Sequence, residues 1–141
     1  MSDARQFFQQ APLYTDEVVY VLLRFPPQRI TLAAALLAEV GEAFSALVAD
    51  KDEVTLILAQ EVLEDFGPRL AETEQSGPYR LLTFDLPLPP DLTGFMALCA
   101  NLLAEAKIPI IPLGAFGRDH LLIPAPHFEQ AWQLLKRAQN P

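Results

Sequence analysis

The stretch with the most chemical potential is Pro89-Pro90-Asp91-Leu92-Thr93-Gly94-Phe95-Met96-Ala97. An acid followed three residues later by glycine, ahead of an apolar periodic run, predicts a helix start capped by Asp91 and approachable at Gly94. The free N–H groups and positive dipole end of such a start can cradle a carboxylate, although Asp is also an ordinary cap that needs no ligand. Other reactive side chains do not converge. His120 and His127 are separated by seven positions that include Pro124 and Pro126, which is not a metal-ligand spacing. Cys99 shares a helical face with Met96 and Leu103, so it reads as a buried, inert thiol. Ser2, Ser45 and Ser76 lie in no nucleophile elbow, and the six glycines are scattered rather than gathered in a phosphate-cradling loop. The acidic runs Asp50-Lys51-Asp52-Glu53 and Glu61-x-x-Glu64-Asp65 read as solvated turns and a helix start, with a basic partner as the alternative. Without an acid, base and nucleophile set, the sequence predicts no enzyme, no cofactor and no metal.

The whole chain sets the frame for these residues. It has 141 residues, 51% of them hydrophobic and 20% charged, which suits a packed core rather than disorder. A net charge of −8 argues against nucleic acid or an anionic membrane as partner, because both need clustered Lys and Arg. A single cysteine excludes an internal disulfide and fits a reducing compartment. No apolar run approaches the ~20 residues of a membrane span, and the N-terminus lacks a secretory pattern. The expectation is a cytoplasmic protein. Its charge is uneven: residues 1–75 hold 13 acids and 5 bases, whereas residues 76–141 hold 5 of each.

Elements follow from the periodicities. Residues 18–25 are β-branched and aromatic and end at Pro26-Pro27, which predicts a strand. Thr31 opens a helix that stops at Gly41. Strands at Phe44–Ala49 and Val54–Ala59 flank a polar turn, and a short helix at Glu61–Phe66 follows. Thr73–Pro78 reads as a linker. The second half repeats the order: a strand at Tyr79–Leu86, a helix carrying Leu92 to Ala106 on one apolar face, strands at Ile108–Leu113 and His120–Ile123, and a final helix. At an offset of 66, Leu36-Leu37-Ala38-Glu39 falls on Leu102-Leu103-Ala104-Glu105, and the turn Asp50–Glu53 on Phe116–Asp119. Two β-α-β-β-α units of the ferredoxin-like kind result, at residues 17–76 and 77–141, after an N-terminal extension at 1–16. Pro109 and Pro112 place their strand at a sheet edge.

Asp91-x-x-Gly94-x-x-Ala97, then Leu102-Leu103-Ala104-Glu105-Ala106-Lys107-Ile108 and a strand, resembles the ACT domain, a small-molecule regulatory module of amino-acid metabolism. More narrowly, Leu92-Thr93-Gly94 through Ile108-Pro109-Ile110, with Gly114-Ala115-Phe116-Gly117-Arg118-Asp119-His120, resembles the tandem aspartokinase-like ACT proteins, the CASTOR arginine sensors among them. The similarity spans roughly residues 17–138. It implies an α+β fold of two tandem ACT units packed side by side and an amino acid or related metabolite as ligand. Asp91, Thr93, Gly94 and Phe95 would line one side of the site, and Ile110, Ile111 and Leu113 would offer strand backbone on the other. In the family the turn before the third strand reads Ser-Thr-Phe/Tyr-x-x-Asp. Phe116 and Asp119 match it, Asp119 at the position used toward a cationic side chain. Gly114 and Ala115 lack the two hydroxyls, and Arg118 sets a cation beside the acid, so arginine is not fixed as the ligand. An amino acid needs an anion site, an acceptor for its ammonium and a side-chain pocket; the helix start, the edge carbonyls and Phe116 with Asp119 could supply these in turn. A homodimer or a regulated protein is the partner to expect. The rival is an interaction module that kept the fold and lost the pocket.

Overall fold

The computed structural model describes residues 3–41 and 44–141. Its elements in order are α1 (Ala4–Gln10), β1 (Leu13–Tyr14), β2 (Val19–Phe25), α2 (Ile30–Val40), β3 (Ala46–Ala49), β4 (Val54–Ala59), α3 (Leu63–Phe66), β5 (Glu74–Phe84), α4 (Phe95–Glu105), β6 (Ile111–Gly114), β7 (Asp119–Pro124) and α5 (Phe128–Gln139). The chain divides into two compact units, one of Val18–Tyr79 and one of Met1–Glu17 with Arg80–Pro141.

In the Val18–Tyr79 unit the strands run β3, β4, β2 and the first half of β5. The β-branched run of β2 is buried on most positions, as expected of a strand between two neighbours. It pairs antiparallel with β4, which pairs in turn with β3. Asp50 shapes the β3–β4 turn by accepting from the N–H groups of Asp52 at 2.8 Å and Glu53 at 2.9 Å. Helix α2 lays Ala33 and Leu36 onto a core with Val21, Leu23, Phe25, Val54, Leu56, Leu58 and Phe66.

Thr73–Pro78 is not a linker. Glu74–Tyr79 is strand, exposed in its side chains but paired through its backbone beside β2. Gly77 marks a close approach rather than a flexible joint. It holds φ at 145°, and a Cβ there would lie 3.1 Å from the Tyr20 carbonyl and 3.2 Å from Val21 Cγ1. Gly, Ser and Pro signal a break only where no neighbouring strand satisfies the backbone, and here β2 does.

In the other unit β6 pairs with β7, β7 neighbours β5, and β1 pairs with β5 through Leu13↔Phe84 and Tyr14↔Thr83. Helices α1, α4 and α5 pack on one another. The core joins Leu82, Phe84, Phe95, Cys99, Leu103, Leu121, Ile123, Phe128 and Leu135 to Phe8, Ala11 and Leu13. Of the N-terminal extension expected at 1–16, the described residues 3–16 are thus grouped with Arg80–Pro141. Thr15 Oγ1 donates to the Leu81 carbonyl at 2.6 Å, Arg80 Nη2 to the Asp16 carbonyl at 2.7 Å, and Asp85 N to the Pro12 carbonyl at 2.8 Å. A strand of two residues has no periodicity to read, which is why the segment looks idle in the sequence. The regrouping also moves charge: Val18–Tyr79 holds ten acids and four bases, and the other unit eight and six.

Both units are α+β and ferredoxin-like, with β6 at a sheet end, in keeping with its one proline, Pro112; Pro109 lies before the strand, which begins only at Ile111. The repeat slips by one residue. The apolar faces of α2 (Leu32, Ala33, Leu36, Leu37, Val40) and α4 (Leu98, Cys99, Leu102, Leu103, Ala106) match at 66. Ala46–Ala49 and Val54–Ala59, however, correspond to Ile111–Gly114 and Asp119–Pro124, an offset of 65. The second hairpin turn is therefore residues 115–118. A one-residue slip would turn every side chain to the wrong face, so strand pairing overrides the letter match.

Candidate functional site

Two segments of the Met1–Glu17 and Arg80–Pro141 unit build the site: the loop from β5 to α4 and the turn between β6 and β7. The two prolines 89 and 90 decide the loop. Leu92 N donates to the Pro89 carbonyl at 3.1 Å, closing a turn over Pro90 and Asp91, and Thr93 Oγ1 reaches the Asp91 carbonyl at 3.3 Å. Asp91 is therefore not the cap. It is an exposed turn residue three positions upstream of Gly94, which caps α4 in the left-handed conformation at φ 87°. That φ suits glycine, and a Cβ there would meet only Ala4 Cβ, at 3.9 Å. The first helical bond runs from Leu98 N to the Gly94 carbonyl at 3.0 Å. Phe95 is buried, its ring edge-on to Phe84 at 5.1 Å.

The β6–β7 turn closes with Ala115 N donating to the Arg118 carbonyl at 2.9 Å. Two contacts fasten it to the loop: Leu88 N donates to the Gly117 carbonyl at 2.8 Å, and Arg118 Nε to Asp85 Oδ1 at 2.9 Å. Between the segments lies an open cleft of about 320 Å³, lined by Leu88, Pro89, Pro90, Leu92 and Phe95 on one wall and Ala115 to Asp119 on the other.

Of the residues singled out in the sequence, Phe95, Phe116 and Asp119 line this cleft. Asp91, Thr93 and Gly94 belong to the same loop but are exposed and do not line it. Ile110, which packs toward the core, and the half-buried Ile111 and Leu113 of β6 do not line it either. Phe116 is wholly exposed rather than folded onto the core. The lining residues outside the site read from the sequence are Leu88, Pro89, Pro90, Leu92, Ala115, Gly117 and Arg118; the Pro-Pro pair was the available signal, since it forces the turn that forms one wall.

Burial raises the Asp119 carboxyl above its ordinary range, against the opposing pull of His120. No hydrogen bond reaches that carboxylate among the described residues. Burial lowers the His120 imidazole, Asp119 raises it and Arg118 lowers it, and Nδ1 lies 2.8 Å from Thr83 Oγ1. Cys99 is buried against the same core and its thiol is pushed up to about 12, first by burial and then by Asp119, so it is no nucleophile at neutral pH. No group of three His, Cys, Asp or Glu side chains among the described residues could hold a metal. No described helix is long and apolar enough to cross a membrane.

No protein-family model matches the chain, and no curated protein matches it. Solved structures do. A Vibrio cholerae protein of unknown function, described as a possible transport protein, has a TM-score of 0.73 at 21% identity, covering 94% of this chain and 93% of that one. The ligand-free regulatory subunit of aspartate kinase from Thermus thermophilus gives 0.65 at 18% identity, over 90% of this chain and 97% of that one. Aspartokinase III from E. coli, in complex with aspartate and ADP, gives 0.64 at 15% identity, over 89% of this chain and 32% of the enzyme. What is shared is architecture: the chain has the ACT-like fold of aspartokinase regulatory domains.

Proposed function

We propose that the protein is a regulatory module that binds an amino acid or related small metabolite in the cleft between the β5–α4 loop and the β6–β7 turn, with no catalysis of its own. The cleft carries this reading. It joins apolar walls from Leu88, Leu92 and Phe95 to an unbonded carboxylate, Asp119, and the exposed Phe116. Such a pairing accepts an ammonium or a cationic side chain through charge and cation–π attraction. The aspartate kinase regulatory subunit of the same fold supports a regulatory role. The narrower likeness to tandem arginine sensors rests on Phe116 and Asp119, while Gly114 and Ala115 bring no hydroxyls. The setting is cytoplasmic, and the output is contact with a second copy or a regulated protein. One observation favours the rival, an interaction module without a ligand: a bare phenylalanine at a turn tip suits a protein partner.

Thermal unfolding against the twenty amino acids separates the two. A ligand at a hundredfold excess over its Kd stabilises by about 2.7 kcal/mol, a rise of roughly 5–10 °C for a chain this size. Asp119→Ala should weaken that ligand by roughly tenfold or more. No shift with any of the twenty, together with a protein partner whose binding Phe116→Ala abolishes, would establish the rival instead.

A further inference from the structure

We infer that the cleft is built for the zwitterionic head of an apolar α-amino acid, with Arg118 anchoring the carboxylate and Asp119 the ammonium. This rests on the amino-acid reading above and assigns the head-group contacts within it. The start of α4 brings no converging set of N–H groups to the cleft, because in its first turn Phe95 lines it and Met96 and Ala97 do not. Among the lining residues the one full positive charge is Arg118. Its Nε is occupied by Asp85 at 2.9 Å, which fixes the plane of the guanidinium. Neither Nη has a hydrogen-bond partner among the described residues, so the Nη1–Nη2 edge remains for a carboxylate to dock in bidentate fashion. Asp119 follows directly, half-buried and without a hydrogen-bond donor, and lines the same cleft. A free guanidinium edge and a free carboxylate at adjacent positions form a dipole that matches a zwitterion better than an amine or an acid alone. The rest of the lining is apolar (Leu88, Leu92, Phe95, Phe116 and the prolines), which leaves a charged ligand side chain without a partner.

The Val18–Tyr79 unit supplies an internal contrast. Its corresponding cleft, about 280 Å³, is lined by Arg24, Phe25, Pro26, Pro27, Asp52, Glu72 and Glu74. There the arginine is neutralised twice, Nε by Glu53 at 3.2 Å and Nη1 by Glu74 at 3.4 Å. With Asp52 and Glu72 also present, that cleft repels a carboxylate. Of these two clefts, one suits the ligand.

Isothermal titration of the full chain with L-leucine and L-phenylalanine, and with isoamylamine, phenethylamine, 4-methylpentanoate and 3-phenylpropionate, tests this. The expected result is one site per chain for an amino acid, with its amine and its acid each roughly tenfold weaker or worse. Arg118→Gln should lose roughly tenfold or more toward the amino acid while leaving the amine within about twofold, and Arg118→Lys should recover part of the loss. Arg118 is exposed, and circular dichroism checks that the variants fold. Unchanged amino-acid affinity in Arg118→Gln overturns the anchor and leaves the amino-acid reading standing. Binding of only charged amino acids overturns the apolar class, again without touching that reading. If none of the twenty binds the wild type, both fall.

Discussion

Stripping the side-chain amide from Gln139 should cost the fold about 2–4 kcal/mol, far more than its place in the last turn of α5 suggests. Gln139 is buried, and its Nε2 donates to the Phe8 carbonyl at 2.8 Å and the Ala11 carbonyl at 2.6 Å. Phe8 and Ala11 are each 2% exposed, so water does not reach these carbonyls freely. Gln139→Leu keeps the volume and removes both donors. A buried acceptor left unsatisfied costs about 1–3 kcal/mol, and two of them set a range whose upper end relaxes as the last helical turn frays and lets water in. Urea unfolding measures the loss at constant slope. Gln139→Glu sharpens the test. Its carboxylate would face two carbonyl oxygens, so its folded pKa would rise above the unfolded value near ~4.3. Stability is then fully present below the unfolded pKa and lost as pH rises through the folded one. The Glu variant should therefore be less stable than the Leu variant at pH 7 and recover toward pH 4, each compared with wild type at the same pH. A Leu variant within ~0.5 kcal/mol of wild type, which is the spread of ordinary surface changes, would refute the claim that this clamp holds residues 3–14 in the core.

Gly77→Ala should destabilise by about 1–3 kcal/mol, because its Cβ meets the Tyr20 carbonyl at 3.1 Å and φ is 145°; an unchanged Tm would show that β2 and β5 yield at no cost. His120 should make stability fall with acid. Burial holds its folded pKa below the ordinary value, so the stability it contributes is present above the unfolded pKa, near ~6.5, and is lost as pH drops through the folded one. Tm profiles of wild type and His120→Gln between pH 8 and pH 5 should diverge on the acid side, and parallel profiles would remove His120 as the cause.

What could be read from the letters was what repeats at fixed spacing. The apolar faces of α2 and α4, the polar turn at Asp50 to Glu53 and the edge position of β6 all follow from periodicity or proline chemistry, and each stands in the structure. What could not be read depends on neighbours remote in sequence. Thr73–Pro78 carries every mark of a break until β2 lies beside it. Residues 3–14 offer little apolar periodicity, yet Phe8, Ala11 and Leu13 complete a core whose other members lie beyond residue 80. Asp91 illustrates a local conflict: Asp-x-x-Gly is a good helix start, but the two prolines before it impose a turn that uses up its position. Phe116 and Asp119 were legible as chemistry, whereas the wall opposite them was not, because Leu88 and Leu92 look like any other partly buried leucines.

Asp119 connects stability to the proposed role. Burial raises its pKa, which means that its ionised form at neutral pH works against folding rather than for it. The neighbouring Arg118 does not relieve this, since its Nε is bound to Asp85 and its charge sits at an exposed side chain. His120 pulls against burial without outweighing it, because its own pKa is held down and its Nδ1 lies 2.8 Å from Thr83 Oγ1. A half-buried carboxylate that its own surroundings fail to satisfy is a standing cost, of the kind found where a site is shaped for something other than the chain itself. In the proposed role, the ligand's ammonium supplies the compensating cation. In the Val18–Tyr79 unit the corresponding turn ends at Glu53, which pairs with Arg24, and Glu74 pairs with the same guanidinium within the fold. The same architecture thus occurs twice, once with its arginine paired to two acids and once with an arginine paired to Asp85 alone beside an unbonded Asp119, and in the proposed role only the second arrangement gains stability when an ammonium and a carboxylate arrive together.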